Sequence, residues 1–238
     1  KRYAEERGLT GTHGENSHGL PHPKHLSTAR NLAAMAAAAI RVHPERYAVY
    51  KEQSYTYNDI TQYNRNHLLR EDDSVDGLKT GYTSVAGYGL VASAKREGMR
   101  LISVVMGSTS PSSRKSETRS LLNYGFRFYE TATPLRGGAE LTQGRVWKGQ
   151  TPQVALGVTT DVVLTLSRSA AEITPSVEID TPLMAPLKAG DVVGRVVLTR
   201  AGESVGEAPL EVLQAVESAG FFARFWDTIL LWFKQLLG

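Results

Sequence analysis

The stretch Asp76-Gly77-Leu78-Lys79-Thr80-Gly81-Tyr82-Thr83 is the most informative part of this sequence. A Lys-Thr-Gly triplet on a strand places an ammonium and a hydroxyl at the edge of a groove, and Gly81 lets an extended backbone approach closely. This arrangement suits a peptide that ends in a carboxylate. The triplet belongs to the first of three predicted extended segments, Val75–Tyr82, Tyr88–Lys95 and Arg100–Met106. The short turn between the last two predicts an antiparallel hairpin.

Helical segments flank these strands. Ser27-Thr28 can cap an alanine-rich helix, and Arg114–Phe128 has a predicted apolar face that includes Leu121. Gln62–Leu69, before the Lys-Thr-Gly triplet, is predicted to be an extended piece that contains the polar turn Asn64-Arg65-Asn66. Helices combined with an antiparallel sheet indicate an α/β (α+β) domain.

The bulk composition is that of a globular protein. The 238 residues are 41% hydrophobic and 21% charged, which excludes disordered and collagen-like classes. The absence of cysteine excludes a disulfide framework and a thiolate metal site. The formal charge of +3 is not gathered into a basic stripe, which argues against a nucleic-acid partner. The sequence begins at Lys1 without a leader, and we expect that the natural start was removed.

The character of the sequence changes near residue 135. Residues 139–216 contain short β-branched runs separated by Gly and Pro, which predict a small all-β, sandwich-like domain. We therefore expect three parts: residues 1–134 with the Lys-Thr-Gly strand, a β-rich domain over residues 135–216, and a terminal helix over residues 217–238.

The terminal helix is strongly amphipathic. Arg224, Asp227 and Lys234 interrupt its apolar residues, so it falls short of the roughly 20 apolar residues that cross a bilayer. We expect it to lie in the membrane interface, and docking on its own domain is the alternative. The residues predicted to contact the membrane are Phe221, Phe222, Phe225, Trp226, Ile229, Trp232 and Phe233.

Several motifs share an order and spacing that point to one family. They are Gly11-Thr12-His13, Ser17-His18-Gly19-Leu20, Tyr63-Asn64-Arg65-Asn66, Val75–Thr83, Ala86-Gly87-Tyr88, Arg100–Gly107 and Tyr124–Glu130. With these motifs the sequence resembles the periplasmic low-molecular-mass penicillin-binding proteins, which are serine-type D-alanyl-D-alanine carboxypeptidases of the penicillin-binding protein 5 type. The resemblance covers nearly the whole chain, including the β-rich segment and the amphipathic tail.

The resemblance implies a partial transpeptidase-like domain related to serine β-lactamases. It implies that Lys79, Thr80 and Gly81 form the substrate strand, that Arg114 receives the terminal carboxylate, and that Arg65 lies near the cleft. The expected partners are the D-Ala-D-Ala end of the peptidoglycan stem peptide, β-lactam antibiotics and the periplasmic face of the bacterial inner membrane. No cofactor and no metal are implied.

The family's nucleophilic serine and lysine base, in Ser-x-x-Lys, and its Ser-x-Asn motif precede the part represented by this chain. Nucleophilic catalysis needs the serine and its base together. We therefore expect an N-terminally truncated carboxypeptidase that is inactive by itself.

Three other patterns were weighed as substitutes. Ser112-Ser113-Arg114-Lys115 matches Ser-x-x-Lys but follows the Lys-Thr-Gly strand, and Gly202-Glu203-Ser204-Val205-Gly206 spells a nucleophile elbow without the helix that should follow it. The histidines lack a supporting Cys or paired carboxylate, so a metal cluster is not favoured. These histidines are His13, His18, His22 and His25.

Two other functions were also considered. A fragment of a class A β-lactamase would share Lys-Thr-Gly, but the β-rich domain and the amphipathic tail argue against it. A non-catalytic, membrane-bound scaffold would use the β-rich domain as an interaction or spacer module.

Overall fold

The chain forms two compact units, Lys1–Tyr129 and Glu130–Gly238. The computed structural model describes residues 2–237, with side chains for all of these except Tyr3 and residues 233–237. The sequence predicted a boundary after residue 134, and the units divide at residue 129 because the strand Tyr129–Leu135 pairs with a later strand of the second unit.

The first unit combines short helices with an antiparallel sheet. Its helices are α1 (Arg2–Glu5), α2 (Ala29–Val42), α3 (Pro44–Tyr47) and α4 (Pro111–Phe128), with 3-10 helices at Ala48–Lys51 and His67–Arg70. Its strands are β1 (Ser54–Tyr57), β2 (Ile60–Tyr63), β3 (Val75–Thr83), β4 (Gly87–Arg96) and β5 (Met99–Ser108). Strands β3, β4 and β5 form one antiparallel sheet in that order, which confirms the predicted strands and hairpin.

Local capping explains where the longer helices begin. Thr28 is the N-cap of α2, where its side chain accepts a hydrogen bond from the Asn31 amide. Ser110 does the same for α4 by accepting from the Ser113 amide. The predicted cap of the alanine-rich helix is therefore confirmed.

Helix α4 covers the sheet and closes the core of the first unit. Gly125 lets the helix approach Leu101 of β5, because a Cβ at position 125 would overlap the Leu101 side chain. The buried residues of this core are Leu68, Leu69, Val75, Leu90, Ala92, Ala94 and Leu122.

Two details of the sequence interpretation were wrong. Strand β2 ends at Tyr63, and His67–Arg70 is a 3-10 helix, because the Asn66 side chain accepts from the Leu68 amide at 3.3 Å and starts a helical turn. Leu121 is 50% exposed, since the buried stripe of α4 runs through Thr118 and Leu122 instead.

The second unit is a β-rich domain followed by the terminal helix. Its strands are β6 (Tyr129–Leu135), β7 (Glu140–Trp147), β8 (Gln153–Gly157), β9 (Val162–Ser167), β10 (Ile173–Ile179), β11 (Leu183–Met184), β12 (Val192–Arg200) and β13 (Glu203–Val212), and its helix is α5 (Phe221–Leu237). Six strands form a sheet in the order β10-β12-β13-β8-β7-β11, and β6 pairs with β9. Leu164 of β9 packs on the buried core of the larger sheet, which gives the sandwich-like arrangement.

The segment before α5 belongs to the β-rich domain. The Ala219 amide donates to the Lys148 carbonyl at 2.8 Å, and the Gln150 amide donates to the Glu217 carbonyl at 2.9 Å. These bonds bring the start of α5 to the end of β7. Within residues 2–237, no helix has both the length and the apolar content to cross a membrane.

Candidate functional site

Strand β3 presents the Lys-Thr-Gly triplet at the edge of the sheet. Lys79 lies opposite Val91 and Thr80 opposite Leu90 in the pairing with β4, whereas no described strand pairs with the other side of β3. An unpaired strand edge can add an extended peptide through backbone hydrogen bonds.

A groove of about 1130 Å³ runs along this strand. Its walls include all five residues that the sequence assigned to substrate binding: Lys79, Thr80, Gly81, Arg114 and Arg65. Other parts of the lining come from α2, with Leu32 and Met35, and from the preceding loop, with Ser17, His18 and His25. Residues that are up to 97 positions apart in the sequence therefore meet around one cleft.

Arg114 is the most unusual charged residue of the groove. It lies in the first turn of α4 and is only 7% exposed. Its guanidinium donates to the carbonyl oxygens of Gly81 and Gly89, each at 3.4 Å, and of Arg65 at 3.3 Å. The Nε atom has no hydrogen-bond partner. Burial lowers the pKa of Arg114, and the adjacent ring of Tyr88, with its centroid 5.7 Å away, opposes this shift.

Two cations of this groove, Arg114 and Lys79, lack a carboxylate partner among the described residues. The Lys79 ammonium is exposed and donates to the Thr80 carbonyl at 2.5 Å. A buried cation without a counter-ion favours binding of an anion, and a guanidinium suits a carboxylate.

A polar network fixes the start of β3. Arg100 forms two hydrogen bonds to the Asp76 carboxylate, at 2.8 and 2.7 Å, and the Tyr47 hydroxyl donates to the same carboxylate at 2.8 Å. Burial would raise the pKa of Asp76, but the hydrogen bonds from Arg100 and Tyr47 outweigh it and lower the pKa. Burial also raises the pKa of Tyr47 to about 12.

Asn66 completes the support of the strand. It is 2% exposed, and its side-chain amide donates to the Gly77 carbonyl at 3.0 Å. Gly77 has no room for a side chain, because a Cβ there would lie 2.6 Å from the Tyr47 hydroxyl oxygen. Sequence reasoning missed Tyr47, Asn66 and Arg100 as positioning residues. The adjacent Asp76-Gly77 pair was the available signal, since a charged residue beside a glycine on a strand needs a partner.

The rejected nucleophile patterns lie in unsuitable places. The Lys115 ammonium pairs with the Glu71 carboxylate at 2.7 Å, which does not suit the role of a base for Ser112. Ser204 lies within strand β13, opposite Thr199, and no helix follows it directly.

The histidines do not form a cluster. His13 contacts Glu15 at 2.7 Å, whereas His18 and His25 line the groove. Among residues 2–237, no group of His, Cys, Asp or Glu side chains could hold a metal ion.

Most of the residues predicted to contact a membrane are exposed on α5. Phe221, Phe222, Phe225, Trp226 and Trp232 are each more than half exposed, and Ile229 is half-buried. The side chain of Phe233 lies outside the described residues. On another side of the helix, the Asp227 carboxylate accepts from the Lys148 amide at 2.5 Å. The helix is thus bound to its own domain and still presents a large aromatic surface.

Comparison of structures defines the class of protein. Penicillin-binding protein 5 from Haemophilus influenzae superimposes with a TM-score of 0.83 and 41% identity, over 91% of this chain and 64% of that protein. Penicillin-binding protein 6B from Escherichia coli gives a TM-score of 0.65 at 34% identity, over 87% of this chain and 57% of that one. The fold is therefore that of a penicillin-binding protein, with its edge strand and its β-rich domain.

Sequence comparison then defines the family. A family model described as D-alanyl-D-alanine carboxypeptidase matches residues 1–110, and one described as penicillin-binding protein 5, C-terminal domain, matches residues 129–218. The chain belongs to the D-alanyl-D-alanine carboxypeptidase family of the penicillin-binding protein 5 type. This finding agrees with the resemblance seen in the motifs.

The curated relatives are longer than this chain. D-alanyl-D-alanine carboxypeptidase DacC of Escherichia coli K12 is 44% identical over 99% of this chain, which spans 60% of the relative. For DacA of the same organism the identity is 41%, and the chain spans 59% of the relative.

Proposed function

We propose that this chain supplies the substrate-binding strand of a serine-type D-alanyl-D-alanine carboxypeptidase. The observation that carries the proposal is the position of Lys79, Thr80 and Arg114 on one groove, with the guanidinium buried and without a carboxylate partner among the described residues. Relatives that carry the name of this enzyme support the same assignment.

The groove can orient a peptide by three means. The free edge of β3 can pair with an extended substrate backbone, and Gly81 leaves the approach open because nothing lies within 4 Å of a Cβ at this position. The Arg114 guanidinium can bind the terminal carboxylate of D-alanine. The Thr80 hydroxyl and the Lys79 ammonium add hydrogen-bond donors beside the scissile bond. Because these contacts hold the peptide in a fixed orientation, the reaction has a lower entropic cost.

The complete reaction requires a serine. Its oxygen attacks the carbonyl carbon of the penultimate D-alanine, the peptide bond breaks, and the terminal D-alanine leaves with a proton from the base. Water then hydrolyses the ester and restores the serine. The Ser-x-x-Lys and Ser-x-Asn motifs expected for this step are not found in suitable positions of this chain, so we propose that the chain alone does not turn over.

Penicillin labelling tests this proposal at two levels. Incubation of the chain alone with a fluorescent penicillin should give no stable covalent label, and a label on any residue would contradict its proposed inactivity. The longer protein encoded by the complete gene should be labelled and should release D-alanine from a peptide that ends in D-Ala-D-Ala.

Arg114 provides the specific test of the groove. In the longer protein, Arg114→Gln should lower kcat/KM for D-alanine release by about tenfold to a hundredfold, because a charge-assisted hydrogen bond to the substrate is lost. Arg119→Gln is the matched control, since Arg119 lies on the same helix but binds Glu71 and does not line the groove. Equal effects of the two changes would refute the assigned role.

We also propose that α5 binds the membrane interface, which would place the protein on the periplasmic face of the inner membrane. The exposed aromatic surface supports this, since a terminal helix with such a surface partitions into the headgroup region. The chain should sediment with phospholipid vesicles, and a version that ends at Gly220 should not. Equal sedimentation of both would exclude this role for the helix.

A further inference from the structure

A second pocket lies within the β-rich unit, beside α5. It has a volume of about 300 Å³. Strand β7 contributes Gln143, Arg145 and Trp147, which are alternate residues and therefore share one face of the strand. Leu183 of β11 and Leu231 of α5 form apolar parts of the lining. The proposed carboxypeptidase chemistry makes no use of this pocket.

The polar part of the pocket is a guanidinium held on an indole. The Arg145 Cζ atom lies 3.9 Å from the centroid of the Trp147 ring. Trp147 is only 5% exposed, so it forms a rigid platform, whereas Arg145 is exposed. Within the described residues, Arg145 forms no ion pair with a carboxylate. Stacking orients the plane of the guanidinium and leaves its N–H groups available for an oxyanion.

The helix closes one side of this pocket in a defined orientation. Asp227 accepts from the amide of Lys148, the residue that follows the indole platform, and Leu231 lies one turn further along α5. Phe225 and Trp226, on the same helix, are 57% and 64% exposed. The pocket and the exposed aromatic surface are therefore presented by one helix and the strand beside it.

We propose that this pocket binds the headgroup phosphate of an anionic phospholipid. The Arg145 guanidinium donates to the phosphate oxygens, and Leu183 and Leu231 contact the first methylene groups of an acyl chain. The Gln143 amide donates one N–H to Glu140 at 3.1 Å and can donate its second N–H to the phosphate. The proposal rests on the membrane association of α5, because that association brings phospholipid to the mouth of the pocket. A phospholipid is favoured over a soluble anion because the oxyanion donor lies beside apolar walls.

Vesicle sedimentation with a matched pair of variants tests the proposal. The chain should bind phosphatidylcholine vesicles more tightly when they contain phosphatidylglycerol. Arg145→Gln should lower the affinity for the phosphatidylglycerol vesicles about fivefold and leave binding to pure phosphatidylcholine nearly unchanged. Arg195→Gln removes the same charge from the same unit, at a side chain that pairs with Glu178 at 2.7 Å, and should change the affinity less than about twofold.

The outcomes separate this inference from the proposal on α5. If the unchanged chain binds neither kind of vesicle, the membrane association itself is refuted, and the inference falls with it. If the chain binds vesicles but Arg145→Gln behaves like Arg195→Gln, only the headgroup site is refuted. Thermal unfolding of both variants should stay within about 5 °C of the unchanged chain, because the cation–π contact of Arg145 and the ion pair of Arg195 are both exposed and contribute little to stability.

A soluble probe distinguishes a lipid from a free anion. The indole N–H resonance of Trp147 should shift on titration with short-chain phosphatidylglycerol, and this shift should be lost in Arg145→Gln. Inorganic phosphate at equal concentration should produce little change. An equal shift with inorganic phosphate would overturn the assignment to a phospholipid.

Discussion

The Nη1 atom of Arg114 lies 3.4 Å from the carbonyl oxygen of Gly81. This contact joins the first turn of α4 to strand β3, so a guanidinium and the Lys-Thr-Gly triplet form one wall although the two bonded residues are 33 positions apart. The same guanidinium reaches Gly89 on β4. The position of the proposed anion-binding group is therefore coupled to the backbone of the strand that would pair with a peptide.

Gly81→Ala should impair binding in the groove without changing the stability of the fold. A Cβ at position 81 meets no atom within 4 Å, so the free energy of unfolding should stay within about 0.5 kcal/mol of its original value. The added methyl group would stand where the peptide approaches β3, so penicillin acylation of the longer protein should slow about tenfold. Gly14→Ala, which also meets no atom within 4 Å and does not line the groove, should alter neither quantity. A stability loss confined to Gly81→Ala would contradict the argument.

Tyr47 should make the chain less stable in alkali. Its pKa is raised to about 12, mainly by burial, whereas an unfolded tyrosine titrates near 10. Between these values the unfolded chain loses the proton first, so stability that is present below about pH 10 is lost as the pH rises toward about 12. Urea unfolding followed across this range should show a steeper decline for the original chain than for Tyr47→Phe. Parallel declines would exclude Tyr47 as the cause.

Gly125→Ala should destabilise the first unit through a steric conflict. Alanine favours a helix by about 1 kcal/mol over glycine, but the new Cβ would overlap the Leu101 side chain, and overpacking costs about 1–3 kcal/mol. We expect a net loss that disappears in the background Leu101→Ala, where the conflict is absent. Thermal unfolding of the two single variants and the double variant measures this coupling. An equal loss in both backgrounds would show that the conflict is not with Leu101.

Asp227→Ala should release α5 from the β-rich domain. The change removes the hydrogen bond to the Lys148 amide, which contributes about 1 kcal/mol, so the helix should open about fivefold more often. Chymotrypsin cleavage near Phe221 and Phe222, followed by mass spectrometry, reports this opening. Thr228→Ala is the control, because its hydroxyl donates within the helix, to the Arg224 carbonyl at 2.8 Å. Similar cleavage rates for both variants would exclude the anchoring role of Asp227.

The sequence predicted the elements that have a local signal. Strands β3, β4 and β5, the cap of α2 and most of α4 were found from periodicity and turn residues. The 3-10 helix at His67–Arg70 was missed, because it depends on the Asn66 side chain competing for backbone hydrogen bonds. The burial of Leu121 was predicted wrongly, since periodicity alone does not determine which stripe of helix α4 faces the sheet.

The Lys-Thr-Gly part of the candidate site was found because its residues are neighbours in the sequence. The residues that position this strand were missed because they are distant in the sequence. Lys79, Thr80 and Gly81 are consecutive, so a single strand brings them together. Tyr47 and Arg100 hold Asp76 from 29 and 24 residues away, and nothing in a local pattern indicates such a contact. Positioning residues of this kind are visible only when the packing is known.

The amino-acid sequence by itself determined the Lys-Thr-Gly strand, the β-rich second part and the amphipathic tail, because periodicity, turn residues and composition act over a few neighbouring residues. Tertiary structure decided that Arg114 is buried over Gly81 and Gly89, and that Asp227 of the tail binds the end of β7. These contacts join residues 25 to 79 positions apart, and their energies depend on burial and geometry that arise only when each unit folds.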